Sequence, residues 1–360
     1  MRFPLLLPIL VLLLALRCQR APVASSDPEP PQVPGGADPD TSGTDVPPPP
    51  DTTPPAPGLC SEYPHLRVIE VSTTAQLTSA LRAVRPGDLI RLAPGGYQGG
   101  LVITVSGTNT APITLCGSSA AVLDAGTLSD RDVITLRASH WNFVGFSITN
   151  GLRGVYAERA LYNTLEDLTI FNLGQEGVQW SAFSSHNRVL KSRIHDTGRV
   201  IAEYGEGVYF GHARTQWCLY TGCEPDRSDS NEVRDNVIGP NVTAEHIDAK
   251  EGTTGGIISG NTFDGRGMVR SRPWVDSWVE INGNGYTVSD NQGSVAPVDG
   301  FQVIIGLRGW ANDNVFARNR ADIQADGFGF RIDSGTSGNR VGCDNVVEGA
   351  GKGLSNVACQ

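Results

Sequence analysis

From residue 134 onward the chain repeats a short phrase in which inward apolar residues alternate with an outward residue. It recurs at Ile134-Thr135-Leu136, Val155-Tyr156-Ala157, Val178-Gln179-Trp180, Val208-Tyr209-Phe210, Ile247-Asp248-Ala249, Val279-Glu280-Ile281 and Ile332-Asp333-Ser334. A second element follows each, often written Asn-x-apolar, as at Asn163-Thr164-Leu165, Asn187-Arg188-Val189, Asn231-Glu232-Val233 and Asn339-Arg340-Val341. Alternation of this kind predicts short strands buried on one face. A unit of two or three such strands cannot bury its apolar face alone, whereas stacked copies share one core. The repeat therefore predicts an all-β solenoid of roughly eight coils. A sandwich of irregular strands is the alternative, but it has no need of the recurring Asn-x-apolar phrase. The first six phrases start 21, 23, 30, 39 and 32 residues apart. The stretched intervals predict loops inserted on one side, where binding faces are often built.

Helical spacing is clear only once, with Leu77, Ala80, Leu81 and Val84 on one face. Thr73 or Thr74 is the expected N-cap and Arg85-Pro86-Gly87-Asp88 the stop. This short helix is expected to cover the open end of the solenoid, which otherwise exposes unpaired strand edges.

Composition divides the chain into three parts. Residues 1–18 read as an export signal, too short and too interrupted by Pro4 and Pro8 for a membrane span. Residues 19–58 hold 13 of the 23 prolines and no aromatic residue, the composition of a disordered linker. Residues 59–360 form the solenoid domain, expected to be a monomer. A formal net charge of −10 argues against a nucleic-acid-binding surface. Of seven cysteines, Cys18 is either the lipid attachment point of a surface-tethered protein or a remnant within a cleaved signal. The other six allow fifteen pairings, and proximity favours Cys60 with Cys116, Cys218 with Cys223, and Cys343 with Cys359.

In a parallel solenoid, equivalent positions of successive coils lie about 4.8 Å apart, so outward residues form columns. One column reads Thr135, Tyr156, Gln179, Tyr209, Asp248, Glu280 and, after one ambiguous coil, Asp333. Two residues further on, another reads Arg137, Glu158, Ser181, Gly211, Lys250 and Asn282. Asp248, Lys250, Glu280 and Asn282 thus make a polar square, with Glu203 and Glu206 in the loop before it. Lysine occurs only at Lys191, Lys250 and Lys352. Lysine, unlike arginine, can lose its proton and act as a base. The plainer reading of Lys250 is a surface ion pair with Asp248 or Glu280, worth little. Carboxylates this close raise a lysine pKa, so base chemistry requires a divalent cation or Arg308 to offset them.

The segments Val71-Ser72-Thr73-Thr74-Ala75-Gln76-Leu77, Arg85 to Tyr97 and Ala111-Pro112-Ile113-Thr114-Leu115 resemble the entry segment of pectate-lyase-like right-handed parallel β-helices. Glu245-His246-Ile247-Asp248-Ala249-Lys250, followed by Gly260-Asn261-Thr262-Phe263, is similar to the signature of family-6 polysaccharide lyases, the alginate lyases and chondroitinase B. Ile247-Asp248-Ala249-Lys250-Glu251-Gly252 also resembles the catalytic strand of family-9 pectate lyases. The resemblance implies a right-handed parallel β-helix and β-elimination on an acidic, uronate-containing polysaccharide, secreted or at the cell envelope. It further implies Lys250 as base and Ca²⁺ held by Glu245, Asp248 and Glu280. Where the family-6 pattern has an arginine this chain has Asn282, so Arg308, one coil later, is the expected carboxylate partner. Tyr209 or His212 is the expected proton donor, and Asn282, Trp278 and Arg272 are the expected substrate contacts. Two other readings stay open. A hydrolase of the same fold would use Asp248, Glu280 and Asp333. A non-catalytic glycan-binding or adhesive protein would use Trp274, Trp278 and Trp310 as stacking platforms.

Overall fold

A computed structural model describes residues 59–269 and 275–360, all within the unit spanning residues 51–360. The expected signal, the linker, Cys18, Arg272 and Trp274 lie outside the described residues. The strands form three parallel sheets of 11, 10 and 10 strands, and in each sheet neighbours in space are about three strands apart in sequence. Every coil thus contributes one strand to each of three sides, the right-handed parallel β-helix. There are more coils than the eight expected, because terminal strands such as Gly95–Gln98 and Gly353–Ser355 carry glycine in place of the apolar phrase.

The functional side is the ten-stranded sheet that holds Val178–Ser181, Val208–Phe210, Ile247–Ala249, Ser277–Ile281, Asp299–Val303 and Phe328–Ile332. Its register pairs Thr135, Tyr156, Gln179, Tyr209, Asp248 and Glu280 in one column, as expected. The column then continues through Gln302 and Arg331, not Asp333. The reason is that Phe328-Gly329-Phe330-Arg331-Ile332 alternates as well, and its strand ends where Ile332-Asp333-Ser334 was expected to begin. Val208, Phe210, Ile247, Ala249, Val279 and Ile281 point inward and are fully buried.

The recurring asparagines form ladders inside the turns. Asn163 N–H donates to Asn187 Oδ1 at 3.0 Å, and Asn187 N–H to Asn231 Oδ1 at 2.8 Å. A longer run links Asn236, Asn261, Asn291, Asn319 and Asn345 in the same way. The left-handed conformation belongs to the residue before most of these asparagines, for example Tyr162, His186 and Asp290 at φ 58°, 59° and 60°. The asparagine itself spends its amide on satisfying buried backbone groups of neighbouring coils, which water cannot reach.

The helix Thr74–Ala83 is capped by Thr73, whose hydroxyl accepts from Gln76 N–H, and it buries Leu77 and Ala80 at the first coils. The disulfides join Cys60 to Cys116, Cys218 to Cys223 and Cys343 to Cys359. Among the described residues no helix is long and apolar enough to cross a membrane.

Candidate active site

Alternation along Val208–Phe210 and Ile247–Ala249 turns Tyr209 and Asp248 outward on adjacent coils. Immediately after the second strand comes Lys250, whose backbone N–H still donates to Phe210 O. Two inserted loops rise beside these strands. Residues 198–207 bring Glu203, Tyr204 and Glu206, and residues 211–230 bring His212, Thr215 and Tyr220. They enclose a cleft of about 480 Å³ floored by Gln179, Tyr209, Asp248, Lys250 and Glu280. A second cavity of about 460 Å³ lies between the capping helix and Leu101–Ile103, but Arg82 is the sole ionisable group lining it.

Lys250 Nζ lies 2.5 Å from Asp248 Oδ2, 3.7 Å from Glu280 Oε1 and 5.6 Å from the centre of the Tyr209 ring. Burial alone depresses a lysine pKa, yet Asp248, Tyr209, Glu280 and Glu245 together hold Lys250 well above its ordinary value. Burial also raises the Tyr209 phenol well above its usual range, so it keeps its proton.

Carboxyl oxygens of Glu206, Glu245 and Asp248 all lie within 4.8 Å of one another, and all three residues are buried. Burial and mutual repulsion push Glu206 and Glu245 well above the ordinary carboxyl range and Asp248 up to about 7. Glu176, also buried in the cleft wall, is raised by burial to about 7. One oxygen of each of these four residues has no hydrogen-bond partner. Such a set, hard, anionic and unsatisfied, fits a Ca²⁺-like cation or shared protons.

A carboxyl whose folded pKa exceeds its unfolded value binds its proton more tightly in the folded state. The stabilisation from Glu176 is therefore complete below about pH 4.5 and lost as pH rises through about 7. Without divalent cations, the melting temperature is expected to fall between pH 5 and pH 8, with a shallower fall in Glu176→Gln. Melting curves across that range check this, and identical slopes for the two proteins would contradict it.

His212 lines the cleft with its Nδ1 2.9 Å from Asp226 Oδ2 and its ring stacked 3.9 Å from Tyr220. Glu280 reaches the cleft, but Glu206 takes its expected place in the three-carboxylate cluster. Asn282 Nδ2 already donates to Glu280 Oε1 and Ile304 O. Arg308 is exposed in the bend after Asp299–Val303, and its side chain does not line the cleft. Trp278 needs correction as a substrate contact: it is 0 % exposed and packs edge-on against Phe301 in the core. It belongs to the five-residue strand Ser277–Ile281, and its indole lies in the core against Gly265, Gly293 and Gly300, where the absence of side chains leaves room for it.

Arg153, Gln179, Tyr204 and Tyr220 line the cleft without having been expected there. Gln179 stands in the column already readable from the repeat. The two tyrosines lie in the stretched intervals, where the repeat gives loop length but not loop path.

The model of the Pel9A-like right-handed β-helix region matches residues 69–213. A crystal structure of alginate lyase from Paenibacillus sp. str. FPU-7 is similar at 31% identity and TM-score 0.72, over 80% of this chain and 99% of that one. The crystal structure of pectate lyase Pel9A is similar in fold at 17% identity and TM-score 0.59, over 81% and 80% of the two chains. A rhamnogalacturonan lyase follows at 12% identity and TM-score 0.53, over 70% of each chain. No curated protein sequence matches the chain.

Proposed function

Because the chain belongs to the right-handed parallel β-helix lyase family of the Paenibacillus alginate lyase, we propose that it cleaves a uronate-containing polysaccharide by β-elimination in this cleft. The observation that carries the reading is the pairing of Lys250 with Tyr209, a lysine Nζ 5.6 Å from the ring centre of a protonated tyrosine on the floor of an acidic cleft. Lys250 takes the proton from the carbon that bears the carboxylate. The C4–O bond then breaks as the C4–C5 double bond forms, and Tyr209 gives its proton to the departing glycosidic oxygen.

Glu206, Glu245 and Asp248 would hold a Ca²⁺ ion. When bound, such an ion supplies positive charge that polarises the substrate carboxylate and cancels the anionic field around Lys250. Burial is then left as the dominant influence on Lys250 and favours its neutral, basic form. Alginate, the substrate named for the Paenibacillus relative, is the first polymer to test. The leader sequence supports export, with Cys18 as a membrane tether.

Two results are expected. Tyr209→Phe keeps the fold and substrate binding but lowers kcat by about 10²-fold or more, read from ultraviolet absorbance of unsaturated ends. Full activity in that variant would remove Tyr209 from the chemistry. Adding Ca²⁺ to chelator-treated protein raises the melting temperature of the wild type and has much less effect on Glu245→Gln. Equal shifts in the two proteins would place the ion elsewhere.

A further inference from the structure

The cleft floor is rich in carboxylates, yet its expected substrate is an anion, so its buried hydrogen-bond donors decide what it admits. Most are committed. Lys250 is paired with Asp248, and His212 is tied through Nδ1 to Asp226. Arg153 lies in the wall with Nε and Nη2 on the two oxygens of Asp132, at 2.7 and 3.2 Å, and its guanidinium rests 3.6 Å from the centre of the Tyr156 ring.

Gln179 is different. It is 5 % exposed, and its Oε1 accepts from Arg153 Nη1 at 2.8 Å. A guanidinium has no lone pair to offer, so the amide oxygen must face Arg153 and the NH₂ group must face away. That NH₂ has no partner among the described residues, and Gln179 lines the cleft. The arginine, clamped by Asp132 and Tyr156, thereby holds a neutral amide with its donors presented to the ligand.

The register fixes which part of the ligand this is. Gln179, Tyr209 and Asp248 are cross-strand neighbours in that order, about 4.8 Å apart. If Lys250 deprotonates the sugar on the Asp248 side and Tyr209 protonates the bridging oxygen, the expelled sugar lies on the Gln179 side. Resting on the elimination reading, we infer that Gln179, positioned by Arg153, binds the carboxylate of the expelled sugar residue. The cleft is thereby selective for polymers in which consecutive sugars are both uronates.

The test compares a homopolyuronate with a polymer that alternates uronate and uncharged sugars, using the wild type, Gln179→Glu and Gln179→Ala. Gln179→Glu keeps a partner for Arg153 but replaces the donor with a negative charge. The wild type is expected to favour the homopolyuronate by about tenfold or more in kcat/KM. Gln179→Glu is expected to lose about a hundredfold on that polymer, chiefly through KM, and about tenfold or less on the alternating one. Gln179→Ala, which leaves no charge, should lose less on the homopolyuronate and still less on the alternating polymer. Equal losses on both polymers, or no loss on either, would overturn the inference while leaving the elimination reading intact. A wild type that releases no unsaturated ends from any uronate polymer overturns the elimination reading itself.

Discussion

Lys250→Arg and Lys250→Ala are both expected to lower the rate of unsaturated product formation by about 10³-fold, with the solenoid folded in each case. The pair separates base from charge. Arginine preserves a cation beside Asp248 and Glu280, which lie 2.5 and 3.7 Å from Lys250 Nζ, but it cannot give up its proton at any working pH. A lysine needed only to neutralise its neighbours would be replaced well by arginine, and activity within about tenfold of wild type would identify that role. Alanine removes the cation as well, leaving Asp248 without its ion-pair partner. The carboxyls of Glu176, Glu206 and Glu245 already carry raised pKa values, so Asp248 is expected to take up a proton in this variant and the fold to persist. Circular dichroism and melting curves verify the fold, and initial rates on alginate read the chemistry.

The second large effect concerns stability. Asn261 accepts from both the N–H and Nδ2 of Asn236, at 3.0 and 2.9 Å, and its own Nδ2 donates to Val233 O and Asn291 Oδ1, both at 2.9 Å. It is an interior member of the longer ladder and almost wholly buried. Asn261→Ala deletes four hydrogen bonds and strands a backbone N–H and a carbonyl where water cannot replace the lost partner. At about 1–3 kcal/mol for each of these two buried groups left unsatisfied, the expected loss is roughly 2–6 kcal/mol. Denaturant unfolding measures it, and a loss under about 1 kcal/mol would show that the ladder is dispensable. Coils interact chiefly with their neighbours, so hydrogen exchange should rise first in the strands beside the substitution.

Much of this architecture is legible from residue types alone. Apolar alternation at Val208-Tyr209-Phe210 and Ile247-Asp248-Ala249 identifies the strands, and equal phrase positions place Tyr209 beside Asp248 because register in a parallel stack follows the inward residues. The asparagine phrase marks the turns, although its purpose, carrying hydrogen bonds from coil to coil, becomes clear only with the ladder. Sequence reasoning fails where the phrase is degenerate. Asp299–Val303 carries glycine and glutamine, so the coil that supplies Gln302 is ambiguous from the sequence, and the coil beyond it reads as Asp333 where the column holds Arg331. It also fails where loops fold back. Glu206 joins Glu245 and Asp248, and Tyr220 stacks on His212, through paths that no periodicity encodes. Trp278 shows a third limit: a large aromatic residue near a site satisfies the core as readily as it serves a ligand.

The reaction proposed for this cleft is cleavage of a glycosidic bond by elimination. Mass spectrometry of oligosaccharides released from alginate by the purified protein, with Lys250→Arg run in parallel, tests it most directly. Elimination predicts that each fragment with a new non-reducing end carries an ultraviolet-absorbing double bond there and is one water lighter than its hydrolytic counterpart, with about 10³-fold less of it from the variant. New non-reducing ends that are saturated, with those fragments at full hydrolytic mass, or unsaturated fragments made equally by Lys250→Arg, would contradict it.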